Sequence, residues 1–236
     1  MLEAVVDDAG QSNVAEMARR LDIPVATAHR QVATLVGEGY LRPLGRGRHT
    51  AGARLINLAR RLDEKQLVAN VAAPILHRLA AKLGSIVQLG TLENEMVTYR
   101  IKTGRSANDL FTKVGMQLEA YCSGMGKVLL AHLPERERNA YLASGPFVAL
   151  TERTMTEPAA LAAELSKVYA QGFAVDDREI ADGLSCVAVP VRDSRGEVIA
   201  AISVSQGKPA DDRAIRGRLL PMLLAAASEI DAGLVA

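Results

Sequence analysis

The apolar residues near the start of the chain recur at the spacing of an α-helix. Four of them lie at positions i, i+3, i+4 and i+7: Val14, Met17, Ala18 and Leu21. This spacing places them on one helix face. Asn13, followed three residues on by Glu16, has the pattern of a capping box. A helix is therefore predicted to begin there and to end near Asp22, after a shorter helical pattern over 2–6.

A second amphipathic helix is predicted after a tight turn. Pro24 is tolerated in the first turn of a helix, and one apolar side follows it, formed by Ala28, Val32, Leu35 and Val36. Gly37 and Gly39 then stop the helix. The run GYLRPLGRGRHTAG over 39–52 has the pattern of a β-hairpin. Helix, turn, helix and hairpin is the order of a winged helix-turn-helix.

The pattern then changes at a short polar junction. A third amphipathic run predicts a connecting helix over 53–66, and its apolar positions are Leu55, Leu58, Ala59 and Leu62. Polar residues at 64–66 precede the next apolar pattern. We therefore expect a winged helix-turn-helix over 1–52, a connecting helix over 53–66 and a second domain over 67–236.

The second domain alternates between the two periodicities. A helix from Val71 is ended by Gly84, and SIVQLGTLE and EMVTYRIKT are expected to pair about a turn at 93–95. Further helices are predicted at 124–133, 135–143, 158–171 and 211–234, and further strands at FAVD, LSCVAVPVR and EVIAAISVS. This mixture indicates an α+β fold with an antiparallel sheet.

Composition excludes several classes of protein. The chain has 236 residues, of which 49% are hydrophobic and 23% charged, as in a folded protein of two domains. No uncharged apolar run approaches 18 residues, and the acidic start does not resemble a signal peptide. Cys122 and Cys186 lack the spacing of a metal site. We expect a cytoplasmic protein with no membrane partner, no metal and no cofactor.

Charge is unevenly distributed along the chain. The net charge is only +1, but 39–62 contains no acidic residue and six arginines: Arg42, Arg46, Arg48, Arg54, Arg60 and Arg61. A basic hairpin beside a helix-turn-helix predicts contact with DNA. The candidate DNA-binding residues are Pro24, Val25, Ala26, Thr27, His29, Arg30, Thr34, Arg46 and Arg48. Thr27 and Arg30 are expected in the major groove and Arg46 and Arg48 on the wing. For any one arginine, a solvated surface role remains open.

Three segments resemble the IclR family of bacterial transcriptional regulators, and the resemblance covers essentially the whole chain. The first is the run VAEMARRLDIPVATAHRQVATLVGEGYLRP, in which Leu21, Pro24, Thr27, Arg30, Leu35 and Gly39 match the family's helix-turn-helix. The others are AYCSGMGKVLLAHLP and GFAVDDREIADGLSCVAVPVRDSRGEVIAAISVS. The resemblance implies a GAF-like effector-binding domain and a homodimer or dimer of dimers on palindromic operator DNA. Only about ten residues precede Asn13, fewer than is usual in the family, which predicts weaker dimer contacts there.

The segment 122–127 is a candidate anion site. Glycines ahead of an apolar helix leave backbone N–H groups accessible at a positive helix end, although close packing would also explain them. Tyr121 replaces the first glycine of a Walker A loop, and Lys127 is not followed by Ser or Thr, so ATP is not expected. The resemblance implies an effector pocket of Ala107, Leu110, Leu118, Gly124, Met125, Asp176, Cys186, Ser203 and Ser205.

Within that pocket, Ser203 and Ser205 share one strand face by the period of two, and Asp176 is expected to accept a hydrogen bond from an effector hydroxyl. Buried small residues in central strands would give the same pattern at Cys186 and the two serines. The signature segment containing 120–131 resembles that of members that respond to aromatic acids.

Three functions follow from these patterns. The first is a DNA-binding regulator, more often a repressor than an activator, that responds to a small carboxylic acid. The second is an enzyme with Cys122 or Cys186 as nucleophile and His77 or His132 as base, which no local nucleophile motif supports. The third is a DNA-binding protein without a ligand, which the size of the second domain disfavours.

Overall fold

A computed structural model describes most of the chain. The described residues are 1–61, 63–105, 107–207 and 215–235. Their contacts divide the protein into an N-terminal unit, Met1–Asp63, and a C-terminal unit, Glu64–Ala236. Each unit has its own buried apolar cluster, so each is described by itself.

The N-terminal unit has the predicted order of elements. These are α1 (Leu2–Asp8), α2 (Val14–Arg20), α3 (Val25–Gly37), β1 (Leu41–Gly45), β2 (Arg48–Ala51) and α4 (Ala53–Ala59). Its core contains Met17, Ala28 and Val32 on the faces that the sequence predicts, together with Val5 and Leu41. The winged helix-turn-helix prediction is therefore confirmed as a fold.

The start of α2 is fixed by the predicted capping box. The side-chain oxygen of Asn13 accepts a hydrogen bond from the N–H of Glu16 at 3.0 Å, and the Glu16 carboxylate accepts from the N–H of Asn13 at 2.8 Å. Each side chain satisfies a backbone donor that the first turn of a helix leaves unpaired. Local sequence alone determines this helix start.

The hairpin is attached to the start of α2. β1 and β2 pair in antiparallel fashion, and the N–H of Val14 donates to the carbonyl of Gly47 at 3.2 Å. Gly45, Arg46 and Gly47 all have positive φ, at 87°, 53° and 73°. Glycine adopts such angles without a steric penalty, so the two glycines allow the tight turn that presents Arg46.

The prediction of one continuous connecting helix over 53–66 is wrong. α4 ends at Ala59, and the next helix, α5, begins at Glu64 and runs to Leu83. Asp63, directly before α5, is a residue type favoured at helix starts. The polar residues at 64–66, predicted as the end of the connecting helix, are instead the first turn of α5.

The C-terminal unit contains a six-stranded sheet between layers of helices. After α5 come β3 (Ile86–Glu93), β4 (Met96–Thr103), β5 (Gln117–Glu119), α6 (Gly124–Ala131), α7 (Glu135–Ala143), α8 (Pro158–Gln171), β6 (Ala174–Asp177), β7 (Ser185–Arg192), β8 (Val198–Gln206) and α9 (Leu220–Val235). The strand order is β5-β4-β3-β8-β7-β6, and every pairing is antiparallel. The α+β prediction with an antiparallel sheet is confirmed.

The two faces of the sheet pack against different helices. α5 and α9 cover one face and bury Leu89, Val187 and Ile202. α6 covers the other face, which carries Ala188 and Ala201 in the alternate positions of the same strands, and α8 packs against α6. Because side chains alternate in direction along a strand, each strand contributes to both layers.

Two elements between β4 and α6 were not predicted. They are a short 3-10 helix, Ala107–Asp109, and the edge strand β5. The predicted helix over 211–234 corresponds to a π-helical turn, Ile215–Leu219, followed by α9, and its predicted start lies outside the described residues. Throughout the part of the chain that the structure describes, no helix has the length and hydropathy of a membrane span.

Candidate functional site

The candidate DNA-contacting side chains lie on the exposed side of α3. Ala28 and Val32 face the core, while Thr27 is half-buried. The exposed candidates are Pro24, Val25, Ala26, His29, Arg30 and Thr34. The Thr34 hydroxyl donates to the carbonyl of Arg30 at 3.0 Å, so it already has a backbone partner. Arg30 has no acidic partner among the described residues, so its guanidinium can reach a groove.

The structure separates the two arginines predicted on the wing. Arg46 lies in the exposed turn between the strands. Arg48 begins β2, is half-buried and forms an isolated β-bridge with Asn13. The Nε atom of Arg48 is buried and has no hydrogen-bond partner among the described residues. Arg48 thus directly follows the turn, paired with Gly45, and its contact with DNA stays a prediction.

A third arginine of the basic run has an intramolecular partner that the sequence pattern did not indicate. The guanidinium of Arg54 lies 4.7 Å from the ring centre of Tyr40 and donates to the Glu38 carboxylate at 2.6 Å. The same nitrogen donates to the Glu38 carbonyl at 2.9 Å. These contacts join the start of α4 to the end of α3, so the six arginines of 39–62 overstate the number of cations available to DNA.

In the C-terminal unit, a row of buried polar groups lies on the sheet face that α6 covers. Its members are Gln88, Asp176, Cys186, Ser203 and Ser205. Gln88 stands opposite Ser203 in the sheet, Ser205 opposite Cys186, and Cys186 opposite Asp176. Directly paired side chains on one face lie about 5 Å apart. Pairing of β6, β7, β8 and β3 therefore brings these groups together.

A chain of hydrogen bonds links part of this row. The Ser205 hydroxyl donates to Gln88 Oε1 at 3.1 Å, and the Gln88 amide donates to Thr112 Oγ1 at 2.7 Å. Cys186 Sγ lies 3.3 Å from Ser205 Oγ. Buried polar groups are costly unless such partners exist, and here the partners fix the orientation of the Gln88 amide.

The start of α6 offers two backbone donors. The Ser123 hydroxyl accepts from the N–H of Gly126 at 3.0 Å and caps the helix. The N–H groups of Gly124 and Met125 have no acceptor among the described residues. A Cβ at Gly126 would lie 2.1 Å from the carbonyl oxygen of Ala120. Gly126 is thus required for close packing, whereas a Cβ at Gly124 would meet Ala188 at 3.4 Å.

A narrow cavity lies between α6 and the sheet. Its volume is about 10 Å³, the room of about one water molecule. Five predicted effector residues line it, namely Gly124, Met125, Asp176, Cys186 and Ser203. Ser205 does not line the cavity, but it contacts two residues that do, Cys186 and Gln88. A small acid therefore requires some lining side chains to turn aside.

Three predicted apolar wall residues lie away from the lining. Ala107 is in the 3-10 helix, and Leu118 is on edge strand β5. Leu110 follows the 3-10 helix, and its carbonyl accepts from Lys102 Nζ at 2.7 Å. Their role in effector binding stays a prediction.

Of the remaining lining residues, Ser123 lies in the predicted anion segment 122–127. Sequence reasoning missed the other six, which are Gln88, Tyr99, Phe111, Thr112, Ile180 and Leu184. A glutamine inside the apolar run of β3 was the available signal, since buried amides need partners.

Asp176 is a buried carboxyl in the lining of the cavity. It is 1% exposed, and its Oδ1 accepts from the N–H of Glu179 at 2.7 Å. Its Oδ2 is buried without a partner among the described residues. Burial, reinforced by the charge of Glu179, raises the pKa of Asp176 to about 7. The cavity thus presents a carboxyl oxygen that a ligand can satisfy.

The two thiols lack the environment of a nucleophile. Burial raises the pKa of both Cys122 and Cys186 to about 12. His132 Nδ1 bonds to the carbonyl of Val128 at 2.8 Å, and His77 Nδ1 to that of Ala73 at 2.6 Å. Within the described part of the chain, no group of three or more His, Cys, Asp or Glu could hold a metal.

Comparisons with known proteins assign both units of the chain to the same family. The family description "IclR helix-turn-helix domain" matches residues 1–45, and "Bacterial transcriptional regulator IclR C-terminal" matches residues 61–232. The Pca regulon regulatory protein of Pseudomonas putida is 33% identical over 220 residues, which are 92% of this chain and 75% of that protein. The acetate operon repressor of Salmonella typhimurium is 28% identical over 236 residues, covering 98% and 85% of the two chains.

A solved structure resembles both units. It is an IclR homolog from Microbacterium hydrocarbonoxydans complexed with 4-hydroxybenzoate, with a TM-score of 0.66, 29% identity and coverage of 99% of this chain and 97% of that one. The relatives are transcriptional regulators, including repressors, so the thiol enzyme is rejected. The chain belongs to the IclR family of bacterial transcriptional regulators.

Proposed function

We propose that this regulator binds a palindromic operator through α3 and Arg46, and that a small carboxylic acid held in the cavity at the start of α6 changes its operator affinity. It acts as a repressor, in the cytoplasm, and as a homodimer or dimer of dimers. Two copies would place two recognition helices on two half-sites. The segment 53–66 would carry the effector state to the spacing of those helices.

The observation that supports this proposal is the donor and acceptor set of the cavity. The N–H groups of Gly124 and Met125 lie at the positive end of α6 and suit a carboxylate. The unpartnered Oδ2 of Asp176 suits a hydroxyl on the same molecule. Together these groups favour a hydroxylated carboxylic acid over a simple one, because an unpaired buried acceptor weakens binding of the analogue that lacks the hydroxyl.

An aromatic effector is the form that we favour. Tyr99 and Phe111 line the cavity, and aromatic rings contribute large contact areas to such sites. The relative complexed with 4-hydroxybenzoate adds support by kinship. An aliphatic hydroxy acid is the alternative, and the screen below separates the two.

A thermal-shift screen of small carboxylic acids tests the effector class. An acid that binds the folded state raises Tm by mass action, by an amount that grows with its concentration. Hydroxybenzoates are expected to raise Tm more than benzoate or short aliphatic acids. If none of these acids changes Tm or binds in calorimetry, the effector proposal fails while the family assignment stands.

Ser203→Leu tests whether this cavity is the site. Ser203 is buried in the lining, so a leucine there should fill the cavity and abolish the effector response at unchanged operator affinity. Ser166→Leu, on the exposed side of α8, is the control. Operator affinity measured with and without the acid is the readout, and an unaltered effector titration in the Ser203 variant contradicts the assignment.

A further inference from the structure

Lys127 is a fully buried cation directly behind the cavity. Its side chain is 0% exposed, and Nζ donates to the carbonyl of Val175 at 2.6 Å and to Glu179 Oε1 at 2.5 Å. Glu164 Oε1 lies farther away, at 3.8 Å. Removing an ammonium group from water costs several kcal/mol before its partners compensate. An apolar residue would fill this position on α6 at a lower cost, so the lysine calls for an explanation.

The two hydrogen-bond partners of Lys127, Val175 and Glu179, flank Asp176 in the chain. Val175 directly precedes Asp176, and Glu179 follows three residues later, with its N–H on Asp176 Oδ1. Between them, Arg178 has φ 64°, in the left-handed region that non-glycine residues seldom occupy. A strained turn persists only when its surroundings hold it. Lys127 provides such a hold from the side of α6.

We propose that Lys127, acting through Glu179, is a positioning residue that directs the free Oδ2 of Asp176 into the cavity. In this way it determines whether the site prefers hydroxylated acids. The inference rests on the proposed effector function of this cavity. Lys127 itself does not line the cavity, so it touches no ligand; it acts on selectivity through the turn that carries Asp176.

A purely structural ion pair would behave differently. Replacing both partners of a buried pair by neutral residues is often neutral for stability, whereas removing one is strongly destabilising. The double variant Lys127→Met with Glu179→Gln therefore separates folding from positioning. Arg78→Met with Glu229→Gln is the matched control, because this ion pair joins two exposed side chains on α5 and α9, which cover the opposite face of the sheet. Glu179→Gln alone keeps an oxygen acceptor for Lys127 and serves as the milder second variant.

Hydrogen exchange measures positioning without any ligand. The N–H of residue 179 is protected by Asp176 Oδ1 in the native turn. It should exchange at least about tenfold faster in the double variant, a factor equivalent to about 1.4 kcal/mol of opening free energy. The surface-pair control should leave its rate unchanged. Equal protection of residue 179 in the wild type and the double variant overturns the inference.

Selectivity is measured with benzoate and its three monohydroxylated isomers. The wild type should bind the best isomer at least about tenfold more tightly than benzoate. This ratio of Kd values should fall toward about 1 in the double variant and in Asp176→Asn, and should decrease less in Glu179→Gln. Adding the double change to Asp176→Asn should lower the ratio no further.

Two results would contradict the proposals, one for the role of Lys127 and one for the effector class. An unchanged ratio in both Lys127/Glu179 variants, with a collapsed ratio in Asp176→Asn, overturns the role of Lys127 and leaves the effector proposal intact. No binding of any of the four acids to the wild type instead contradicts the aromatic effector class. The exchange rate of residue 179 then decides the role of Lys127 by itself.

Discussion

In the N-terminal unit most candidate DNA contacts are exposed side chains of α3 and the hairpin turn, whereas in the C-terminal unit the candidate effector groups come from four strands and a helix and are buried. Arg30 stands on the solvent side of α3, while Asp176 and Ser203 are 1% and 2% exposed. The difference follows from the partner, because DNA supplies a groove of its own and a small acid must be enclosed.

This contrast predicts how stability and function are coupled. Exposed residues outside a hydrogen-bond network contribute little to folding, so the DNA-contacting face of α3 can change at little cost in stability. Buried polar groups must all be satisfied together. Substitutions in the effector site should therefore change stability and binding together, and the following variants test that separation.

The largest expected effect is on the packing of α6. Gly126→Ala would place a Cβ 2.1 Å from the carbonyl oxygen of Ala120, a backbone atom that cannot turn aside. We expect a loss of about 3 kcal/mol or more in the free energy of unfolding. Gly124→Ala is the control, since its Cβ would meet Ala188 at 3.4 Å. Denaturant unfolding of both variants is the measurement; equal stabilities would contradict the close approach.

The second effect is a pH dependence of stability that arises from Asp176. Because burial raises its pKa to about 7, the unfolded chain loses this proton near pH 4 while the folded protein keeps it until about pH 7. The contribution of Asp176 to stability therefore falls across this window and stays low above it. Asp176→Asn removes this contribution. The free energy of unfolding of the variant should therefore exceed that of the wild type by an amount that grows to about 3–4 kcal/mol between pH 4 and 8.

Unfolding free energies at several pH values check this prediction. Asp182→Asn, which removes an exposed carboxyl on the same loop, is the matched control substitution. A difference between Asp176→Asn and the wild type that does not change across the window would show that the folded protein does not hold this proton.

The third effect is on operator binding and leaves stability unchanged. Arg30→Ala should weaken operator binding by about 1–3 kcal/mol and relax the base preference at one position. Arg136→Ala, which removes an exposed arginine of α7, is the control for the change in net charge. Binding to operator variants and Tm are the measurements. Unchanged affinity and sequence preference would remove Arg30 from base reading, and a lowered Tm would break the comparison between the units.

The smallest effect is on a local helix start in the N-terminal unit. Asn13→Ala removes the acceptor for the N–H of Glu16, which should cost about 1 kcal/mol of unfolding free energy. Asn139→Ala, at an exposed position in the interior of α7, should cause no loss, because alanine has the higher helix propensity. Equal losses in thermal unfolding would mean that the capping box adds nothing beyond helix propensity.

Local patterns predicted much of the fold. The apolar spacing of α2 and α3, the capping box of Asn13 and Glu16, and the paired strands β3 and β4 depend on residues within a few positions of one another. The turn between β3 and β4 also lies where it was predicted, with Asn94 and Glu95 both at positive φ. Ser203 and Ser205 share a face for the same reason, since alternation along a strand is a local property.

Other features depend on contacts between distant segments. Lys127 bonds to Glu179, 52 residues later, and Gln88 to Ser205, 117 residues later, and neither pair has a spacing that marks it. The separation of α4 from α5 and the burial of Arg48 Nε were also unpredicted. In those cases the hydropathy pattern is compatible both with the observed structure and with the predicted one.

The sequence by itself determined the order of helices and strands, the family and the exposed face of α3, because periodicity and capping act over a few residues. Only the tertiary structure decided which polar groups meet. Strand pairing brings Asp176, Cys186, Ser205 and Gln88 side by side, and α6 then buries them beneath its own N–H groups. Burial raises the pKa of Asp176, and Lys127 bonds to the carbonyl of the preceding residue, Val175. Both features depend on tertiary structure, because neighbours in space determine the protonation of a buried group.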